Sequence, residues 1–276
     1  MTMPTRDQIR SAWNAIAPRF DEFTTPMSQE FADQTLLRVP VGPGIQFLDV
    51  ACGSGALAIP AARRGAQVTA VDLAQTMIER LAARARAEGL DNVEAAVMDA
   101  ESLEFSDDTF DLTTSLNGVS LLPHLKAGLR EAVRVTKPGG QVMIAAFGPL
   151  PRVEFISFLF GALKASVPGF RPPADPPPLP FQLSDTNRFR SELAAAGLTD
   201  VRIEPSTWKM TFHSAEHFWD AITASNPIAV SLTGHLSEKQ LAEVKQVLHG
   251  MLRERSGGAP EAVLSNEMNI GLGRKP

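Results

Sequence analysis

The chain has 276 residues, a hydrophobic content of 44% and a formal net charge of −5. It can bury a large core, and it lacks the basic excess typical of nucleic-acid-binding proteins. Its single cysteine, Cys52, excludes an intrachain disulfide and a cysteine-rich metal site. The N-terminus has no apolar secretory signal, and the most apolar segment, residues 153–167, is too short to cross a membrane. We therefore expect a cytoplasmic protein without stable membrane insertion.

Residues 6–38 carry apolar side chains at spacings of three and four, which predicts helical structure. Pro18 and Pro26 are expected to break this stretch into pieces. The turn-rich sequence VPVGPG at 39–44 then leads into the first strand. We assign residues 1–45 to an N-terminal helical lid.

From residue 46 the pattern becomes regular. Short apolar strands are expected at 46–50, 67–73, 92–99, 110–116 and 141–147, with helices between them at 55–65, 74–89 and 124–136. Strands that alternate with helices predict right-handed crossovers and a mostly parallel sheet covered on both faces. We assign residues 46–150 to a Rossmann-like α/β core.

After Phe147 the alternation stops. Residues 151–185 form an apolar and proline-rich insertion, with six prolines between Pro172 and Pro180 that predict an extended, polyproline-like connector. Residues 186–276 are expected to complete the core sheet, with a helical cap at 211–255 interrupted at Pro227 and a final strand near the C-terminus. The predicted fold is thus an α/β, mostly parallel, seven-stranded sheet with helices on both faces, a lid and a late cap.

A glycine-rich turn follows the first strand. Gly53, Gly55 and Ala58 match the pattern G-x-G-x-x-A, which occurs at sites for NAD, FAD and S-adenosylmethionine alike. Asp49 discriminates among these sites, because a carboxylate repels a pyrophosphate but attracts the ammonium group of an aminoacyl sulfonium. Ala51 and the glycines allow the backbone to approach a ligand closely.

Two further acids follow strands. Asp72 ends the second strand, where a carboxylate can accept hydrogen bonds from both ribose hydroxyls. Asp99 ends the third strand, where it can accept a bond from an adenine amine. Together with Asp49 they lie at the carboxyl edge, where ligands bind open α/β sheets. The alternative roles are a helix N-terminal acid for Asp72 and a loop cap for Asp99.

Four motifs in order carry a family resemblance. The segments LDVACGSG, VTAVDLAQTM, VMDAESLEFSDDTFD and EAVRVTKPGG resemble class I S-adenosylmethionine-dependent methyltransferases, in particular the small-molecule branch that includes the ubiquinone and menaquinone type. The resemblance covers residues 10–147, about half of the chain. The first motif departs from the family at Ala51, where glycine is usual.

The resemblance implies S-adenosylmethionine as cofactor and adds contacts to it. Phe20 stands where the family has a tyrosine in a segment that closes over the cofactor, so that hydroxyl is missing here. Asn117, in the SLNG segment after the fourth strand, is expected near the methionine part. The remaining implied contacts, around the ribose and adenine, are Leu73, Met77, Ala100 and the backbone of Glu101.

The acceptor side is less defined by the sequence. His124, just beyond the fourth strand, is the candidate general base, which methyl transfer needs only when the acceptor has a high pKa. The insertion and cap are rich in aromatic residues, namely Phe155, Phe158, Phe160, Phe170, Phe181, Phe212, Phe218 and Trp219. These residues form either an apolar pocket for an aromatic, quinone-like or lipidic small molecule, or the core of the cap itself. An apolar cap would also suit a homodimer.

Two other functions stay open from the sequence. A nicotinamide-dependent oxidoreductase would use the same glycine turn, but Asp49 opposes it and a chain without tyrosine lacks a Tyr-x-x-x-Lys pair. A non-catalytic interaction module is opposed by the complete set of cofactor residues. We expect no metal, because His213 and His217 have no third ligand in the sequence pattern, and no nucleic-acid partner.

Overall fold

The computed structural model describes residues 5–172 and 178–276, with only the backbone described at residues 224, 225 and 228. The strands are β1 (Gln46–Val50), β2 (Gln67–Asp72), β3 (Val93–Val97), β4 (Phe110–Leu116), β5 (Thr136–Phe147), β6 (Thr199–Phe212) and β7 (Ala262–Arg274). The helices are α1 (Arg6–Arg19), α2 (Thr25–Leu36), α3 (Ala58–Arg63), α4 (Gln75–Ala87), α5 (Leu125–Val135), α6 (Glu154–Ser166), α7 (Thr186–Ala195), α8 (Ala215–Ser225), α9 (Pro227–Thr233) and α10 (Glu238–Arg255).

The seven strands form one sheet in the order β3-β2-β1-β4-β5-β7-β6. Strands β1 to β5 pair in parallel, whereas β7 runs antiparallel to both β5 and β6. The predicted fold class, a mostly parallel seven-stranded sheet, is confirmed. The strand order reverses direction beside β1, which places the β1 and β4 carboxyl ends at a topological switch point where ligands bind.

Helices cover both faces of this sheet. One large hydrophobic cluster joins the sheet to α2, α3, α4, α6 and the cap, and Phe47 and Met143 lie within it. A second cluster joins the opposite face to α5 and α7, around Leu48, Ile144 and Phe189. Adjacent residues such as Phe47 and Leu48 enter different clusters because successive side chains of a strand point to opposite faces.

The lid differs from the sequence prediction. Helix α1 continues through Pro18 to Arg19, one π-helical turn (Phe20–Thr24) follows, and α2 begins at Thr25. Pro18 supplies no N–H to the preceding turn, and the irregular hydrogen bonding appears directly after it. Pro26 follows the π turn as the second residue of α2 and likewise supplies no N–H to the turn before it. The prediction that the prolines break the lid into pieces was therefore wrong: the helix continues through a π turn.

Strands β6 and β7 extend past the rest of the sheet. Strand β5 ends at Phe147, which pairs with Met268. The earlier part of β7 pairs with β6 from Thr207 to Phe212, and Asn266 also forms an isolated bridge with Val153. This two-stranded extension carries the cap helices α8 to α10. The cap therefore begins at Ala215 rather than at residue 211, because β6 continues to Phe212.

The insertion contains helix α6, which packs into the large cluster through Phe155 and Leu159. Most of the expected polyproline connector, residues 173–177, lies outside the described residues. Within the parts of the chain that the structure describes, no helix combines the length and apolar character needed to cross a bilayer.

Candidate active site

The turn after β1 has the backbone that a close ligand approach requires. Ala51, Gly53 and Gly55 all have positive φ, at 53°, 55° and 94°. A side chain at Gly55 would meet Leu81 of α4, since its Cβ would lie 3.0 Å from the Leu81 Cγ. The left-handed turn and the tight packing on α4 explain the glycines, while Ala51 adopts a conformation that a non-glycine residue seldom takes.

Asp49 lies at the base of this turn and is 1% exposed. Its Oδ2 accepts a hydrogen bond of 3.1 Å from the Ala58 amide, whereas its Oδ1 is buried and has no partner. Burial, reinforced by the nearby Asp72 carboxylate, raises the pKa of Asp49 to about 8. A buried carboxyl oxygen without a donor is costly, and a cationic ligand group would supply the missing partner.

Asp72 holds the glycine turn in place. Its Oδ2 accepts a 2.9 Å bond from the Gly53 amide, and its Oδ1 accepts a 2.9 Å bond from the Ala74 amide at the start of α4. Burial raises the pKa of Asp72, and the backbone hydrogen bonds act against this rise. Each carboxylate oxygen has a further lone pair, so ribose hydroxyls can still bind. Sequence reasoning missed the turn-holding role.

Asn117 provides a second unpartnered oxygen at the same edge. It has a φ of 56°, and its Oδ1 is buried without a hydrogen bond. The next residue, Gly118, lies against the β1 turn: a Cβ there would come within 2.5 Å of the Ala51 Cβ. The ends of β1 and β4 therefore approach so closely that only glycine fits, a requirement that sequence reasoning did not identify although it had singled out the SLNG segment.

Asp99 follows β3 and is engaged by the lid. Its Oδ1 accepts a 2.9 Å bond from the Glu101 amide, and its Oδ2 pairs with the Arg6 guanidinium of α1. Ala100 is buried in the cluster beneath, and Leu73 is half-buried beside Asp72. Arg6 was missed because no local pattern links two residues 93 positions apart.

The lid covers the glycine turn. The Phe20 Cε1 lies 3.5 Å from the position that a Gly53 Cβ would take. Phe20 also meets Trp13 edge-on at 5.9 Å between ring centroids, and both rings pack on a small cluster that includes Met77. The Asn14 Oδ1 accepts a 2.9 Å bond from the Thr76 amide and so caps α4 from the lid. The structure brings Phe20, Gly53, Asp72 and Met77 together.

The second lid helix is fixed to the turn and to β6. The Thr25 and Ser54 hydroxyls lie 2.6 Å apart, and both residues are buried. The Trp208 indole Nε1 donates a 2.8 Å bond to the Met27 carbonyl. The lid therefore crosses the carboxyl edge from Asp99 to β6.

His124 lies outside this group of carboxylates. It is the exposed N-cap residue of α5, and its backbone amide donates a 2.9 Å bond to the Glu101 carboxylate. Its side chain borders a depression between α5 and α7.

The aromatic residues of the insertion and cap pack mainly against one another. Phe155, Phe160, Phe181, Phe212, Phe218 and Trp219 are buried in one hydrophobic cluster, with Phe158 and Phe170 packed against it. These residues therefore form the core of the cap and do not line a pocket, because their surfaces are already buried against one another.

His213 and His217 stack at 4.9 Å between ring centroids, and His213 Nδ1 lies 2.9 Å from the Glu261 carboxylate. The His217 Nδ1 accepts the His213 amide at 3.2 Å, and burial lowers its pKa. In the residues that the structure describes, no three His, Cys, Asp or Glu side chains form a group able to hold a metal ion.

Comparison with known proteins connects this geometry to a family. Residues 47–140 match a methyltransferase domain model. The malonyl-[acyl-carrier protein] O-methyltransferase of Halorhodospira halophila is 30% identical over 260 residues, which cover 91% of this chain and 83% of the relative. The demethylmenaquinone methyltransferase of Clavibacter sepedonicus is 34% identical over 153 residues, which cover 53% of this chain and 62% of that protein.

An uncharacterized protein of Mycobacterium tuberculosis is 37% identical over 162 residues, which is 59% of this chain and only 56% of that relative. Among solved structures, the [4+2]-cyclase SpnF aligns with a TM-score of 0.62 and 18% identity, over 100% of this chain and 98% of the cyclase. That structure supports the fold.

Proposed function

This chain belongs to the class I S-adenosylmethionine-dependent methyltransferases, as its similarity over most of the Halorhodospira halophila enzyme shows, and from this premise we propose that it methylates a small molecule. The resemblance of the sequence motifs to the menaquinone type agrees with the similarity to a demethylmenaquinone methyltransferase. The proposed cofactor is S-adenosylmethionine, which supplies a methyl group activated by a sulfonium sulfur.

One observation carries the cofactor assignment: the buried Asp49 Oδ1 that has no hydrogen-bond donor. A carboxylate at this position would repel an anion, whereas an ammonium group would pair with it and favour its ionised form. The dianionic pyrophosphate of a nicotinamide cofactor would face the same carboxyl group. The residues present therefore fit an aminoacyl cofactor better than a dinucleotide.

The other residues take roles that follow from their positions. Asp72 keeps the Gly53 turn in its left-handed form and accepts bonds from ribose hydroxyls with its free lone pairs. Asn117 offers its unpartnered oxygen to the aminoacyl end. Asp99 and the buried Ala100 flank the adenine. Leu73 and Met77 contribute apolar contacts, and Phe20 excludes water above the turn. This chain mainly positions donor and acceptor in line.

The proposed acceptor is a small molecule with a largely apolar reacting part. Demethylmenaquinone, the acceptor named for the Clavibacter sepedonicus relative, has this character, while the Halorhodospira halophila enzyme is named for a malonyl group on a carrier protein. His124 is the proposed base if the acceptor is a phenol or an alcohol, since its exposed side chain lies where β4 gives way to α5.

The fold alone does not decide which reaction the chain catalyses, as the [4+2]-cyclase of the same fold illustrates. Calorimetric titration with S-adenosylhomocysteine at pH 7, in two buffers that differ in ionisation enthalpy, tests the assignment. We expect micromolar binding with release of close to one proton, because Asp49 is protonated before an ammonium group binds. NADH and NADPH serve as controls.

Binding of a nicotinamide in place of S-adenosylhomocysteine would overturn the cofactor assignment. Binding of S-adenosylhomocysteine without proton release would contradict the change of Asp49 from a protonated to an ionised carboxyl. A screen of phenols and quinones for methylated products then tests the acceptor class. Cofactor binding with no product from any acceptor would favour the non-catalytic module.

A further inference from the structure

A depression of about 530 Å³ lies between the start of α5 and helix α7, outside the cofactor site. Its charged lining comes from two helices: Lys126 and Arg130 from α5, and Arg188 and Glu192 from α7. Gln182 of the insertion forms part of the wall and donates from its Nε2 to the Ser120 and Leu122 carbonyls, at 3.0 Å each. The depression is open to solvent, so it would hold a ligand group at the surface without enclosing it.

The charges in this depression are unbalanced. Three permanent cations face one carboxylate, in a chain whose net charge is −5. Over the described part of the chain, neither Lys126 nor Arg130 has an ion pair or a side-chain hydrogen bond, and the Arg188 Nε lies only within 4.0 Å of the Glu192 Oε1. Neighbouring cations without counter-charges repel one another, and an anion between them removes this cost.

The cations are held on rigid elements. Lys126 and Arg130 are four residues apart, so they project from the same face of α5. Helix α7 begins with Asp185 as its N-cap, whose Oδ1 accepts a 2.7 Å bond from the Arg188 amide. Guanidinium groups bind phosphate oxygens in pairs, which makes two arginines on opposing helices suited to a phosphate group.

The depression adjoins the candidate active site. Helix α5 starts where the chain leaves the carboxyl end of β4, shortly after Asn117. His124, at the rim, is bonded through its amide to Glu101, whose own amide is bonded to Asp99. A molecule whose reacting end lies at this edge of the sheet could therefore extend its other end into the depression.

From these observations we propose that the depression binds a phosphate group of the methyl acceptor. This inference rests on the proposed function and refines it: the acceptor has an apolar reacting part and a phosphate at a distance from it. The phosphate belongs either to a free phosphorylated acceptor, as a monoester, or to a phosphate-linked arm on a carrier, as a diester. Glu192 limits the affinity, because its carboxylate opposes any anion.

The test is a titration of ¹⁵N-labelled protein with phenyl phosphate and, separately, with methyl phenyl phosphate, followed by NMR. We expect shifts confined to amides of residues 123–130 and 182–192. The double substitution Lys126→Gln/Arg130→Gln is expected to weaken binding at least tenfold, whereas Glu192→Gln strengthens it several-fold. Arg190→Gln is the control for loss of a cation. Arg190 is exposed on α7, the helix of Arg188 and Glu192, but it does not line the depression. Phenyl phosphate carries nearly two negative charges at neutral pH and the diester one, so charge alone favours the monoester. Binding of the diester at least as tight as that of the monoester therefore indicates a carrier-linked acceptor, and a preference for the monoester beyond this charge effect indicates a free one.

Equal binding of both probes by the wild type and the double variant would overturn the proposal, as would weaker binding by the Glu192→Gln variant or shifts spread over the whole chain. S-adenosylhomocysteine affinity is measured on the same samples and is expected to stay unchanged. Cofactor binding without phosphate binding removes this inference alone. Phosphate binding without cofactor binding removes the proposed function and, with it, the assignment of the phosphate to a methyl acceptor.

Discussion

The guanidinium of Arg6, in the first turn of the lid, pairs with the carboxylate of Asp99, which follows β3 at the carboxyl edge of the sheet. The Asp99 side chain is 16% exposed and that of Arg6 58% exposed, so the pair lies at the surface of the site. The lid thus contacts Asp99, the residue that the proposed function places beside the adenine. An adenine amine and the Arg6 guanidinium would therefore compete for the Asp99 Oδ2.

Removing Arg6 is therefore expected to favour the cofactor. Arg6→Gln should tighten S-adenosylhomocysteine binding by a factor of about 2 to 5, since a partly exposed ion pair contributes at most about 1 kcal/mol. The gain should shrink at high salt. Calorimetry at low and high ionic strength measures both effects, with Arg10→Gln as the control on the same helix. Weaker binding by Arg6→Gln would show that Arg6 remains at the site in the complex.

The raised pKa of Asp49 makes stability depend on pH. Between about pH 4 and pH 8 the folded state keeps the Asp49 proton while the unfolded chain loses it, so the free energy of unfolding falls as pH rises through this window. Asp49→Asn removes this contribution. We expect the variant to match the wild type near pH 4 and to exceed it by at least about 2 kcal/mol at pH 8.

Urea denaturation of the ligand-free protein across this pH range measures the effect. Asp7→Asn is the control, because the Asp7 side chain is 77% exposed. Parallel pH profiles for the wild type and Asp49→Asn would contradict the raised pKa.

Asp72 should matter to both the fold and the ligand. Asp72→Ala leaves the Gly53 and Ala74 amides without an acceptor, and it removes the proposed ribose bonds. We expect cofactor binding to weaken by about 1–3 kcal/mol and thermal stability to fall. Asp72→Asn keeps one acceptor oxygen and should retain part of the cofactor affinity and part of the thermal stability. Unchanged S-adenosylhomocysteine affinity in Asp72→Ala would exclude the ribose role.

Gly118 tests the close approach of β1 and β4. A Cβ at this position would lie 2.5 Å from the Ala51 Cβ and 2.8 Å from the Ala51 carbonyl oxygen. Gly118→Ala should therefore destabilise the protein by about 1–3 kcal/mol and weaken cofactor binding. Gly250→Ala is the matched control: this glycine lies exposed within α10 with nothing within 4 Å of its Cβ position, so alanine should stabilise by about 0.5–1 kcal/mol. Thermal melts compare the two, and a neutral Gly118→Ala would exclude the steric constraint.

Gly53 tests the cover that the lid provides. A Cβ at Gly53 would meet only the Phe20 ring, at 3.5 Å, but the φ of 55° disfavours a branched side chain. Gly53→Val should displace Phe20 and block S-adenosylhomocysteine binding. Pairing it with Phe20→Ala relieves the contact between the two side chains but not the backbone strain, so cofactor binding should remain lost. Normal affinity in Gly53→Val would remove the close-approach role of this turn.

The sequence by itself determined the order of strands and helices, the glycine turn and the three acids at the carboxyl edge. These features are readable because each depends on a local period or on a few neighbouring residues. The sequence also pointed to the correct family, since four motifs in order are specific even where Ala51 replaces a glycine.

Only the tertiary structure decided the protonation, the ion pairing and the packing of those residues. The proton on Asp49 depends on burial by segments distant in the chain, and the pairing of Arg6 with Asp99 joins residues 93 positions apart. The aromatic residues of the cap read equally well as pocket or core until their neighbours were known, and Pro18 looked like a break although the helix continues through it. Desolvation, charge pairing and packing arise from contacts that chain folding creates, and no local pattern encodes them.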